Sequence, residues 1–290
     1  MSKLRVVDLR ILVGCVALLW AGSVVGQSAD AAGKRCAALA KVEIAGAKVT
    51  SAAVVPEKTA MPDAPLGPYT VRVMPAFCRV KVMDKPSADS DIKTEVWLPL
   101  TDWSGRVRGV GNGGFAGNLD FEALAAAVKQ GSVGVATDTG HVGGGPEFAL
   151  GHPEKVKDFG WRAVHDMTVQ AKALSAALYG KAVAHSYFVA CSDGGREALM
   201  EAQRFPADYD GILAGAPAYN WTGLLSSGAT DLARMESSAA AYLPPAKLPA
   251  IAAAVNASCD AKDGVSDGIL NDPRTCGFDP AVLACKGAET

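Results

Sequence analysis

The sequence has no basic excess. Its 28 lysines and arginines are outnumbered by 30 aspartates and glutamates, for a formal net charge of −2. That balance excludes the electropositive footprint of a nucleic-acid-binding domain. Charge of either sign is sparse, at 20% of residues against 49% hydrophobic, which excludes a solvated, disordered chain. No triplet repeat runs through the 31 glycines, so the composition is not collagenous. Internal repeats, coiled-coil heptads and low-complexity tails are all missing. Long apolar runs are missing too: the longest, Ile11 to Gly26, has 16 residues, short of the ~20 that a bilayer-spanning helix needs. Histidine is scarce, with four residues at His141, His152, His165 and His185 and none beyond. At 290 residues the chain suits one large domain or two small ones with a substantial core.

What is present begins at the amino terminus. Lys3, Arg5 and Arg10 precede the short apolar run, and small residues follow it. That order reads as a secretory signal peptide over 1–26, with cleavage after Gly26 or extending to Ala31. The protein is therefore expected to be secreted or periplasmic, with no stable membrane span after processing. Export would remove Cys15 and leave Cys36, Cys78, Cys191, Cys259, Cys276 and Cys285 in a compartment where structural disulfides form. Six cysteines permit many pairings. Cys259 and Cys276, close in sequence around a turn-rich loop, are the easiest local pair.

Residues 41–55 alternate as a strand does, and a proline-rich connection follows at Pro56, Pro62, Pro65 and Pro68. Period-two patterns recur at Val71 and Val73, at Val80 and Val82, and from Ile92 to Leu98, a β-rich opening. Further on, 106–110, 133–136, 186–190 and 212–214 read as short strands. Helical patterns at 121–129, 164–178 and 194–205 separate them. Strands alternating with helices predict an α/β fold whose parallel sheet is covered on both faces. From Trp221 onward the chain is alanine-rich helix and loop without a strand pattern.

The segment Val189-Ala190-Cys191-Ser192-Asp193-Gly194-Gly195 carries the chemistry. A strand, a serine in a sharp turn and a helix leaving at once make a nucleophile elbow, which needs small residues two before and two after the serine. Ala190 and Gly194 fill those positions, so the motif is A-x-S-x-G. Free N–H groups at the helix amino terminus suit a developing oxyanion, and the Asp193 N–H is one candidate donor. The run Gly111-Asn112-Gly113-Gly114, after an upstream strand, offers a second donor from Gly113 or Gly114. It is not a phosphate loop, because no lysine follows at Walker spacing. The alternative for Ser192 is an ordinary helix cap, a role that serine favours.

A second cluster is acidic. Asp260, Asp263 and Asp267 stand at spacings of three and four, with Gly264 and Gly268 between and after them. Such a loop suits either Ca²⁺, which takes carboxylate and carbonyl oxygens, or a solvated acidic turn. The EF-hand spacing and its closing glutamate are absent.

The stretch C-S-D-G-G-R-E-A-L-M-E-A-Q-R-F-P from Cys191, then D-Y-D-G-I-L-A-G-A-P-A, resembles the tannase and feruloyl esterase family. G-N-G-G-F-A-G from Gly111, D-T-G-H from Asp138 and G-H-P-E-K from Gly151 match as well. The resemblance runs from about Cys36 to the last residue. It implies an α/β-hydrolase fold with an inserted lid domain, here a core over 32–221 and the start of a lid over 222–290. It implies hydrolysis of small esters of aromatic acids such as gallate or ferulate through an acyl-enzyme on Ser192. Asp193 with Gly113 or Gly114 matches the oxyanion hole. The family's structural Ca²⁺ in the lid implies Asp260, Asp263 and Asp267 as ligands, with the backbone carbonyls of Val265 and Ile269. The family's disulfides match Cys36–Cys78 and Cys259–Cys276, leaving Cys191 and Cys285 without partners here.

A serine nucleophile needs a histidine base oriented by a carboxylate, in the chain order serine, acid, histidine. No histidine follows Ser192, so base and acid are expected beyond the end of this chain, which reads as truncated within the lid. His141 and His165 read as structural. No oligomeric state is implied. Two other readings stand beside this one: a non-catalytic, calcium-stabilised exported protein of the same fold, and a serine peptidase.

Overall fold

The computed structural model describes residues 31–115 and 117–284; the expected signal peptide and Cys285 lie outside them. The chain divides into two compact units, Met1–Tyr219 and Asn220–Thr290.

Seven strands build the first unit: β1 (Ala47–Val55), β2 (Phe77–Asp84), β3 (Ile92–Pro99), β4 (Arg106–Val110), β5 (Val133–Thr137), β6 (His185–Cys191) and β7 (Gly211–Gly215). They form one sheet in the order β1-β2-β3-β5-β4-β6-β7. Parallel pairing needs a crossover connection. Helices α3 (Phe121–Lys129), α5 (Ala163–Tyr179) and α6 (Asp193–Arg204) supply it, so β5, β4, β6 and β7 run parallel. The 85–91 link between β2 and β3 is too short for one, and β1, β2, β3 and β5 pair antiparallel. The expected parallel sheet is thus realised over one half only.

Side chains alternate between the two faces. Val96 and Leu98 of β3 join Val107, Val135 and Phe188 under α5, whose Val164, Met167, Ala171, Leu174 and Leu178 form the apolar stripe. Trp97, between them, points to the opposite face with Phe77, Val110 and the α3 residues Leu124 and Val128. A helix over 31–38, α1, is fastened to β2 by the Cys36–Cys78 disulfide.

Two expectations need correction. The strand expected over 41–55 begins only at Ala47, after a 3₁₀ turn at Leu39–Lys41. Val71 and Val73 are not in a strand but in α2, Pro68–Val73. Pro68 at the first turn of α2 presets its φ for a helix. Glu122 of α3 then holds the start, accepting from the Gly67 N–H at 2.6 Å and the Thr70 hydroxyl at 2.8 Å. A carboxylate far along the chain therefore overrides the local β-branched preference.

A five-residue helix, α4 (Pro153–Lys157), precedes a single π-helical turn at Asp158–Arg162. In the second unit, α7 (Trp221–Met235) and α8 (Leu248–Cys259) are joined by loop and one 3₁₀ turn, Pro245–Lys247, with no strand among the described residues. Asn220 caps α7 by accepting from the Gly223 N–H at 3.2 Å. Cys259 is the only fully buried residue described in this unit, and its disulfide to Cys276 stands in for a core. No helix among the described residues is long and apolar enough to cross a membrane.

Candidate active site

β4 and β6 are parallel neighbours, and the loops leaving their carboxyl ends are 111–114 and the Ser192 turn. In α/β sheets that position, where the strand order reverses, is where ligands bind. Ser192 joins β6 to α6 with φ 63° and ψ −121°, a conformation that costs a non-glycine residue about 1–3 kcal/mol. Three hydrogen bonds hold it there. The Ser192 N–H donates to the Gly215 carbonyl at 3.0 Å, and the Ser192 carbonyl accepts from Ala218 at 3.1 Å and Arg196 at 3.2 Å. The side chain makes no capping bond to α6 and is exposed, so Ser192 is not a side-chain cap.

The turn closes because its neighbours are small. A Cβ added to Gly194 would stand 2.6 Å from the Ala190 methyl, and one added to Gly111 2.7 Å from the same methyl. One methyl is therefore accommodated at Ala190 because both facing residues lack theirs. The Gly194 N–H donates to the Asn112 carbonyl at 2.8 Å, which brings the glycine loop onto the first turn of α6. The Asp193 N–H, at the first helical position, and the N–H groups of Gly113 and Gly114 have no acceptor among the described residues. A cleft of about 580 Å³ opens beside Gly113 and reaches Cys191, the residue before the serine; its walls include Leu119, Phe121, Val189, Ala190 and Gly111 to Gly113.

Charge beneath the turn is neutralised locally. The buried Asp193 carboxylate takes two hydrogen bonds from Arg196, at 2.7 and 2.9 Å. Arg196 also donates to the carbonyls of Gly160 at 2.9 Å and Phe159 at 3.2 Å, both within the π-helical turn. Sequence reasoning missed Glu197. Its fully buried carboxylate accepts from the Asn112 N–H at 3.0 Å and from Asn112 Nδ2 at 3.2 Å. Burial is the main cause that pushes its pKa up to about 7. The available signal was spacing: Gly194, Glu197, Ala198 and Glu201 share the face of α6 that turns inward.

None of the four histidines is hydrogen-bonded to Ser192 among the described residues. His141 Nε2 lies 2.6 Å from the Phe115 carbonyl, and its ring stacks on Phe148 at 3.7 Å. His165 Nδ1 lies 2.6 Å from Asp208 and its ring stacks on Phe205. His152 pairs with Asp89 at 2.9 Å, and His185 lies against Tyr187. Cys36–Cys78 and Cys259–Cys276 are joined. Cys191 is a free, exposed thiol.

In the acidic loop the donor chemistry fits Ca²⁺, with only hard oxygens at Asp260, Asp263, Asp267 and the Val265 and Ile269 carbonyls. The geometry does not gather them. Asp260 accepts from the Gly268 N–H at 2.9 Å, Asp263 from Val265 at 3.1 Å and Asp267 from Ile269 at 3.0 Å. Among the described residues no three His, Cys, Asp or Glu side chains converge on a common metal position.

Comparison with known proteins follows the same lines. The profile of the family described as Tannase and feruloyl esterase matches residues 78–290. An uncharacterised esterase of Xanthomonas campestris is 41% identical over 99% of this chain and 49% of its own length. A probable feruloyl esterase B-1 of Aspergillus oryzae is 35% identical over 87% of this chain and 48% of its own. Among solved structures, feruloyl esterase B from Aspergillus oryzae superimposes with a TM-score of 0.80 at 33% identity, covering 89% of this chain and 52% of that one. Tannin acyl hydrolase from Aspergillus niger gives a TM-score of 0.65 at 26% identity, covering 83% and 46%. The chain spans about half the length of the curated relatives it matches. Its mixed sheet and flanking helices are those of an α/β-hydrolase. With the strained serine turn, the glycine loop beside it and a family profile matched from Cys78 to Thr290, the chain belongs to the tannase and feruloyl esterase family.

Proposed function

We propose that this chain is the nucleophile-bearing part of an exported serine carboxylic-ester hydrolase acting on esters of phenolic acids. The observation that carries the reading is Ser192, exposed and held at positive φ between strand and helix. Its Oγ adds to the ester carbonyl while the Asp193 N–H and a glycine-loop N–H receive the oxyanion. The bond to the alcohol breaks, an acyl-enzyme remains, and water releases the acid. The hydroxyl proton passes to a base and then to the leaving alcohol. In this reading the base and its carboxylate come from polypeptide beyond these 290 residues, which accords with the partners found for the four histidines. The apolar wall of Leu119 and Phe121 suits the aromatic ring of a ferulate- or gallate-like acid. Two disulfides and the basic-then-apolar amino terminus support export. Ca²⁺ at the acidic loop, with a structural role, belongs to the same proposal and rests on its donor chemistry.

The test is labelling of the 290-residue chain by an alkyl fluorophosphonate in imidazole buffer, imidazole standing in for the base. One label per chain, absent in Ser192→Ala, is expected by intact-protein mass. Without imidazole, turnover of methyl ferulate or methyl gallate is expected to be negligible. A folded chain that takes no label would favour the non-catalytic reading instead. Robust turnover lost in Ser192→Ala would place the base inside this chain.

A further inference from the structure

We infer that Glu197 is the positioning residue for the glycine-loop half of the oxyanion hole, acting through the backbone of Asn112. The assignment rests on the reading of Ser192 as a nucleophile. A peptide unit is planar, so fixing one of its polar groups fixes the other. The unit between Gly111 and Asn112 is held by the Asn112 N–H on Glu197 Oε2 at 3.0 Å. The next unit is held by the Asn112 carbonyl on the Gly194 N–H at 2.8 Å, and it carries the Gly113 N–H. With both units anchored, Asn112 has no free backbone torsion, and the direction of the Gly113 N–H, which has no acceptor among the described residues, is set before a substrate arrives. Gly113 and Gly114 cannot do this for themselves. A Cβ added to either would meet nothing within 4 Å, so neither is held by packing.

The second carboxylate oxygen removes the remaining freedom. Glu197 Oε1 accepts from Asn112 Nδ2 at 3.2 Å, and Nδ2 also donates to the Thr137 carbonyl at 3.3 Å. Gly111 is pressed against the same carboxylate, since a Cβ there would stand 2.7 Å from Glu197 Oε2. A carboxylate with no solvent exposure is a costly choice for a merely structural tie. Its two oxygens instead match the two N–H groups of one loop residue. Arg196, its nearest cation, stands off at 3.9 Å and is engaged with Asp193, so it does not compete for those oxygens.

The experiment is the rate at which an alkyl fluorophosphonate labels Ser192 in imidazole buffer. The Oγ–P bond forms, fluoride leaves, and imidazole takes the hydroxyl proton. Removal of one oxyanion donor costs about 10²–10³ in rate, so Glu197→Ala is expected to label about 10²-fold more slowly. Glu197→Gln, which keeps one acceptor oxygen and the same shape, is expected to fall between Glu197→Ala and the unaltered chain. Backbone amide NMR of the finished adduct supplies a readout that a structural tie alone would not move. In the unaltered chain the amide protons of Asp193 and Gly113 move downfield on labelling; in Glu197→Ala only Asp193 does. Equal labelling rates with both shifts retained would overturn the assignment while leaving the nucleophile reading intact. No label on the unaltered chain would remove that reading, and this assignment with it. Should Glu197→Ala fail to fold, the near-isosteric Glu197→Gln carries the same two measurements.

Discussion

Ala190, Gly194 and Gly111 form a triangle in which one methyl is permitted. Sequence alone located two corners, because the serine motif is local. The third, Gly111, comes from the loop that follows β4, far along the chain, and no spacing rule ties it to the serine turn. The contact makes a specific prediction. Gly194→Ala places a second methyl 2.6 Å from the first and is expected to destabilise the first unit by about 1–3 kcal/mol, as overpacking does. Ala190→Gly in the same chain should recover part of that loss, because it vacates the space while the Asn112 carbonyl still stands 3.0 Å from the added methyl. Urea midpoints of the two single variants and the double variant measure the coupling; strict additivity would show that the two methyls do not meet.

α6 shows at the scale of an element why the site was only partly legible. Its span and its serine end follow from local pattern. Its inward face does not, because Glu197 and Glu201 look like solvent residues in a sequence and are fully buried in the fold. Neither Glu201 oxygen has a hydrogen-bond partner among the described residues. Burial, with the nearby Asp208 carboxylate, pushes its pKa up to about 8, as burial pushes Glu197 to about 7. A carboxyl group that holds its proton more tightly when folded stabilises the fold in full below its unfolded value, about 4.5, and loses that contribution as pH rises through the folded value. The urea midpoint is therefore expected to fall between pH 5 and pH 8.5. Arg196 and Asp193 act on Glu197 with opposite signs, and Lys172 tempers Glu201. Glu201→Gln should flatten the upper part of that slope; an unchanged slope would mean that Glu201 does not titrate there. α2 is the opposite case, where Val71 and Val73 announced a strand and Glu122 settled the matter from another helix.

For the whole molecule, the two units rest on different physics. The first has an apolar core on both faces of a sheet. Among the described residues the second buries little beyond Cys259, so its order leans on the covalent tie. Closing a loop of this length with Cys259–Cys276, at a sequence separation of 17, is worth about 3 kcal/mol in the chain-entropy account. Ca²⁺ at the acidic loop would add to it. At a concentration 100 times the Kd the gain would be about 2.7 kcal/mol. Thermal unfolding with Ca²⁺ and with EGTA is expected to differ for the second unit, and Asp263→Asn should abolish the difference. Identical curves would leave the loop as a solvated acidic turn. A fold of this kind is stable by only about 5–15 kcal/mol, and the Ser192 backbone, at φ 63°, gives back about 1–3 of them. Glycine at 192 would relieve that cost, so a lineage screened for heat resistance alone would drift toward glycine there. A serine at that position is a standing expense, and the nucleophile role proposed for Ser192 would account for it.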